Sequence, residues 1–107
     1  MDNANLILMS GNEDLINKCR TICCNLSLSM ICRNNFPDFI FELYQNDCMV
    51  AILNCTKNEI ECVTTVRLIR KLRPRVPLIV LCEAFNEKFE HSILSEGIFY
   101  LGLTTTT

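Results

Sequence analysis

Asn54 closes an apolar run, Cys48-Met49-Val50-Ala51-Ile52-Leu53, and is the residue best placed to do chemistry. A short, β-branched apolar run with polar ends reads as a strand buried on both faces. In an open α/β sheet the C-terminal end of a central strand meets the crevice where ligands bind. A carboxamide there hydrogen-bonds, but carries no charge and is a poor nucleophile. Cys55 and Cys82 fall near the same crevice. A redox or metal site is the sharper reading of these thiols, and packing in or beside the core is the plainer one. No Cys-x-x-Cys motif occurs: three residues separate Cys19 from Cys23, and Cys23 and Cys24 are adjacent. Neighbours on a helix point about 100° apart, too divergent to share one metal easily. His91 is the single histidine. It has no Ser, Asp or Cys at a spacing that would make it a catalytic base, and it reads as a solvent-facing helical residue. Ser10-Gly11-Asn12 has one glycine and no lysine, too little for a phosphate loop. Arg67, Arg70, Lys71, Arg73 and Arg75 gather at a helix end, where cations offset the dipole. They read as a solvated end, with a docking surface for an acidic partner as the functional alternative.

Bulk properties narrow the classes. A chain of 107 residues, half of them hydrophobic, with ten basic and twelve acidic residues, is one folded domain. The lack of a basic face argues against direct nucleic-acid binding. No apolar run is long enough to span a membrane, and no signal peptide opens the chain. Eight cysteines in a secreted chain would suggest a disulfide framework. Most of these lie inside apolar patterns, where a thiol behaves as a small hydrophobe, so the chain reads as cytoplasmic with reduced cysteines.

The elements that must position Asn54 follow in order. Leu6-Ile7-Leu8-Met9 is a buried strand. A helix follows with Glu13 and Asp14 in its first turn and a stripe of Leu15, Cys19, Ile22 and Leu26. Leu28 to Cys32 alternates as a strand nearer the sheet edge. Asn34 or Asn35 caps a second helix, with Pro37 in its first turn and Phe36, Phe39, Ile40 and Leu43 on its apolar face. After the Asn54 strand comes a helix from about Glu59 to Leu72, with Cys62, Val66 and Ile69 inward and Pro74 as its stop. Leu78 to Leu81 is a fourth strand, ending at Cys82. A short helix carrying Phe85, Phe89 and Ile93 ends at Gly97, and Ile98 to Leu101 is a fifth strand. Strands alternating with helices imply a doubly wound parallel sheet with right-handed crossovers. Residues 1–103 make one domain, and 104–107 are a threonine tail.

This pattern resembles the receiver domain of two-component response regulators. Met49 to Asn54, Val66 to Lys71, Val76 to Ala84 and Gly97 to Leu101 sit at receiver spacing, over about residues 5 to 103. The resemblance implies a flavodoxin-like five-stranded sheet in the order 2-1-3-4-5. It also implies an Asp, accepting a phosphoryl group, where Asn54 stands, and a Mg²⁺-holding acidic pair at Ser10 and Gly11. A Ser or Thr is implied at Cys82, and a lysine at Leu103. All five positions of that degenerate phosphorylation pocket depart from the pattern, and Asn12 cannot replace the missing acids. Tyr100 matches the family's switch aromatic. Nothing after Leu103 can form the family's final helix.

The expectation is therefore an atypical pseudo-receiver, neither an enzyme nor a holder of metal or cofactor. It would act as a protein-interaction module, the N-terminal domain of a longer signalling or transcriptional regulator. A protein partner or second copy would engage the face of the fourth helix and fifth strand, or the apolar gap left by the missing helix. The alternative is a small-ligand or redox sensor using the crevice around Ser10, Asn54, Cys55 and Cys82.

Overall fold

A computed structural model describes residues 4–55, 59–83, 86–98 and 100–103. The elements are β1 (Leu6–Met9), α1 (Glu13–Asn25), β2 (Met30–Arg33), α2 (Phe36–Gln45), β3 (Val50–Cys55), α3 (Glu59–Leu72), β4 (Leu78–Cys82), α4 (Glu87–Leu94) and β5 (Tyr100–Leu103). Three helices start where an asparagine supplies the first cap. The side chains of Asn12, Asn35 and Asn86 accept from the amides of Leu15, Asp38 and Phe89 respectively. Gly97 takes a left-handed φ of 79°, which suits a glycine beyond a helix end.

The five strands form one parallel sheet in the order β2-β1-β3-β4-β5, the flavodoxin-like arrangement. β3 lies at its centre, pairing Leu6 to Val50 on the β1 side and Ala51 to Leu78 on the β4 side. Side chains alternate across the sheet. Ile7, Ala51, Leu53, Leu78 and Val80 pack with Phe39 and Leu43 of α2, Cys62, Val66 and Ile69 of α3, and Phe89 and Ile93 of α4. On the opposite face, Leu6 and Leu8 pack with Ile16, Cys19 and Cys23 of α1. Among the described residues, three helices cover one face and one covers the other.

Two sequence readings are corrected. The buried stripe of α1 is Ile16, Cys19 and Cys23, while Ile22 and Leu26 are exposed. The apolar arc of α1 is wider than the surface beneath it, and the helix settles on the half facing β1 and β2. The basic cluster is not simply a solvated helix end. Arg73 reaches across to the C-terminus of α2, where its Nε donates to the Leu43 carbonyl at 2.8 Å and its Nη2 to those of Tyr44 and Asn46 at 3.1 and 3.3 Å. Its Nη1 meets the Asp47 carboxylate at 2.9 Å. The last carbonyls of a helix have no partner within it, and one planar guanidinium supplies several donors in a fixed fork. Arg67 pairs with Glu96 at 2.9 Å on the surface.

Arg73→Lys should therefore destabilise more than its charge conservation suggests. Losing charged hydrogen bonds costs about 1.5–3 kcal/mol, which in a domain this size lowers Tm by roughly 4–8 °C per kcal/mol. Arg67→Ala, breaking an exposed pair worth about 0–1 kcal/mol, should leave Tm nearly unchanged. Thermal denaturation of both variants checks the contrast.

Candidate functional site

Asn54 lies one residue before the end of β3 and is only 2 % exposed. Its Nδ2 donates to the Ser10 hydroxyl at 3.0 Å. That oxygen also accepts from the Asn12 amide at 3.0 Å, and Asn12 in turn caps α1. Ser10 is itself buried, and its amide donates to the Arg33 carbonyl at 2.9 Å. The ends of β1, β2 and β3 are thus tied by neutral hydrogen bonds that run into the first turn of α1. Gly11 is exposed, and a Cβ there would meet no atom within 4 Å. Space does not require a glycine at that position.

A cavity of about 800 Å³ opens over this turn. Gly11, Asn12, Asn34, Asn35, Phe36 and Asn54 line it, and Glu61 and Glu83 stand on the wall formed by α3 and the end of β4. The carboxamides offer donors and acceptors without charge, Phe36 offers an apolar surface, and the carboxylates come from positions that sequence spacing did not single out. Tyr100 is 57 % exposed on the opposite side of β5 from Leu101. Its ring crowds position 102, where a Cβ would come within 2.6 Å of it; glycine is what lets the ring lie there.

Cys82 and Leu103 are paired across β4 and β5, and Cys82 is paired with Cys55 across β3 and β4. Alternation turns Cys55 and Cys82 to the face opposite Ser10 and Asn54, where they join the α3 side of the core. There Cys55 and Cys62 form a disulfide with a Cα–Cα distance of 6.1 Å, inside the range of about 4.4–6.8 Å that the bond requires. The expectation of uniformly reduced cysteines is corrected at this pair. The chain turns from β3 into α3 tightly enough to set the strand's last residue against the fourth of the helix. The sulfur of Cys82 completes a group of three whose Sγ atoms all lie within 4.8 Å of one another. Sequence reasoning placed Cys62 only on the packed stripe of α3. The usable signal was a cysteine ending a strand followed, seven residues on, by a cysteine one turn into the next helix. Elsewhere, burial raises the pKa of Cys19, Cys32 and Cys48, which keeps them as unreactive thiols. His91 is exposed on α4. Residues 56–58, 84–85, 99 and 104–107, which include Phe85 and the threonine tail, lie outside the described residues.

No family model matches the chain, and no curated protein matches it significantly. Solved structures do. The receiver domain protein (CheY-like) from Methanospirillum hungatei superposes with a TM-score of 0.84 at 9 % identity, over 99 % of this chain and 85 % of that one. RcsB from Salmonella enterica serovar Typhimurium, bound to the promoter rprA with a phosphomimetic, gives 0.77 at 17 % identity over 96 % of this chain; the match spans 61 % of the RcsB chain, under two thirds of its length. The receiver domain of the sensor histidine kinase PA1611 from Pseudomonas aeruginosa, with magnesium in its active-site cleft, gives 0.76 at 13 % identity over 99 % and 88 % of the two chains. The fold is that of CheY-like receiver domains.

Ser10→Ala removes one acceptor shared by the Asn12 amide and the Asn54 carboxamide. Leaving a buried donor short of an acceptor costs about 1–3 kcal/mol. The expected result is a lower Tm with an unchanged far-ultraviolet spectrum, while Ser10→Thr, which keeps the oxygen, loses less.

Proposed function

We propose that this chain is a non-phosphorylatable pseudo-receiver acting as a regulatory protein-interaction module. The observation that carries the reading is the buried, neutral Asn54–Ser10 hydrogen bond at the end of the central strand. Aspartyl-phosphate chemistry needs a carboxylate to accept the phosphoryl group. It also needs a cation held by carboxylates plus waters and phosphate oxygens. Position 54 offers an amide, and positions 10 and 11 offer a hydroxyl and a hydrogen.

Signal must then enter by contact, and the half-covered face of the sheet supports this. Val50, Ile52, Ile79 and Leu81 are only partly buried, whereas Ala51, Leu53, Leu78 and Val80 on the other face are wholly so. Tyr100 on the same face is exposed, as are Ile22 and Leu26 on α1, the one described helix covering that side. Contiguous exposed apolar surface marks interaction sites. Among the described residues this face is covered by α1 alone, and a protein partner or second copy would cover the rest. The adjoining surface of α4 and β5 is the other candidate contact. RcsB, longer than this chain and seen on promoter DNA, supports reading the chain as the N-terminal domain of a cytoplasmic signalling or transcriptional regulator, with residues 1–103 as that domain. No described helix is long and apolar enough to cross a membrane.

The cavity beside Asn54 favours a second reading, a small-ligand sensor whose site is lined by carboxamides, Phe36 and the carboxylates of Glu61 and Glu83. Incubation with acetyl phosphate and Mg²⁺, followed by intact mass and thermal shift, separates the accounts. The pseudo-receiver predicts no adduct and no shift. A shift with a small molecule alone favours the sensor, and a phosphorylated adduct overturns both.

Light scattering tests the face. Association of the wild-type chain should be abolished by Ile22→Lys with Tyr100→Lys. A strictly monomeric wild type that binds no more hydrophobic dye than the double variant removes the face from the account.

A further inference from the structure

The three sulfurs of Cys55, Cys62 and Cys82 carry an inference independent of the phosphorylation question. Each comes from a different element: the last residue of β3, the second turn of α3 and the last residue of β4. All are buried, at 9 %, 1 % and 3 % exposure. A structural disulfide needs two sulfurs. Here the pairing of Cys55 with Cys82 across neighbouring strands sets a third beside the bond. The mutual limit of 4.8 Å is close to what coordination requires. With metal–sulfur bonds of about 2.3 Å, the edge of a tetrahedral thiolate site is about 3.8 Å. Sulfur shifts of roughly an ångström separate the two arrangements.

We propose that the reduced chain binds one zinc-class divalent cation through the thiolates of Cys55, Cys62 and Cys82, and that the Cys55–Cys62 disulfide is the oxidised, metal-free state of the same site. Opening the disulfide takes two electrons and two protons. A dithiol reductant supplies both and is itself oxidised to a disulfide, leaving Cys55 and Cys62 as thiols. Loading then forms three metal–sulfur bonds and releases three protons to solvent, because the thiolate is the ligand. Three thiolates around a divalent cation leave a net charge of −1. Their softness selects zinc-class ions over magnesium or calcium. The fourth position falls to water, as in sites that keep one position open. Both states tie the start of α3 to the end of β3; only the metal also ties in β4. Asn54 precedes Cys55 directly, so the loaded and oxidised states would differ beside the cavity wall that carries Glu61 and Glu83.

The test uses the full 107-residue chain. Reduce it anaerobically with a phosphine and confirm by intact mass that the disulfide has opened. Then titrate with Co²⁺ as a spectroscopic probe and displace it with Zn²⁺. The expected result is one equivalent of cobalt with sulfur-to-metal charge-transfer absorption, lost on adding zinc and absent from the oxidised chain. Cys82→Ser should keep the Cys55–Cys62 disulfide but weaken cobalt binding by about a hundredfold or more, beyond the usual cost of disturbing a mere supporting contact. Since Cys82 is buried and its variant can misfold, peptide-resolved alkylation of the wild type gives a second readout. Zinc should protect Cys55, Cys62 and Cys82 together and leave exposed Cys24 reactive. A reduced, folded wild type that takes up no metal overturns the proposal. So does protection confined to Cys19, Cys23 and Cys32, or a folded Cys82→Ser chain binding as tightly as the wild type.

Discussion

Everything distinctive in this molecule follows from placing β3 at the centre of the sheet. Flanked by β1 and β4 in parallel register, it has no freedom to slip, because a one-residue shift would turn its whole apolar set to the wrong side. That constraint fixes the fate of its last two residues. Asn54 must point to the face of Leu8 and α1, where it finds Ser10; Cys55 must point to the face of α3, where it finds Cys62 and Cys82. One strand end thus supplies two chemically unrelated clusters that share a crevice edge, and the period of two keeps them apart.

The same alternation explains the imbalance of the two faces. Side chains directed at α2, α3 and α4 reach full burial, because three helices close over a sheet only five strands wide. On the other side α1 sits over β1 and β2, and its apolar arc runs past the surface available, exposing Ile22 and Leu26. A helix buries one stripe against one surface, and a second helix beside it would meet both that flank and the row from Val50 to Leu81. The apolar residues of that row are an unmet packing demand written into β3, β4 and β5.

Much of this was legible before any coordinates. The strand–helix alternation, a capping asparagine at 34 or 35 and the inward stripe of α3 follow from local rules acting where tertiary context agrees with them; the strand order comes from the receiver resemblance. Boundaries moved by a residue or two where pairing overrode composition: β3 starts at Val50 and extends past Asn54 to Cys55, for which β4 offers Cys82 as a partner. The α1 stripe was misassigned because periodicity gives the centre of an apolar arc but not which part of it the sheet occupies. Arg73 was misread for a different reason. Its partners are carbonyls of Leu43, Tyr44 and Asn46, some thirty residues away, and a backbone acceptor leaves no trace in residue identity. Cys62 escaped notice since a thiol on an inward helical stripe looks the same whether it packs against leucine or against another sulfur.

The neutral end of β3 is a self-consistent solution in its own right. A buried carboxylate is tolerated only with a cation or several donors, since desolvating an unpaired charge costs far more than desolvating an amide. At position 54 one carboxamide donor meets the Ser10 oxygen, which also serves the Asn12 amide and so the start of α1. An acid placed there alone would confront a hydroxyl already accepting from the Asn12 amide. Acids at positions 10 and 11 alone would forfeit that hydroxyl and face an uncharged amide. Each such substitution is unfavourable without the others, so a charged pocket and this neutral one are separated by several simultaneous changes. Asn54, Ser10 and Asn12 hold together as neutral donors and acceptors in which each bond positions the next.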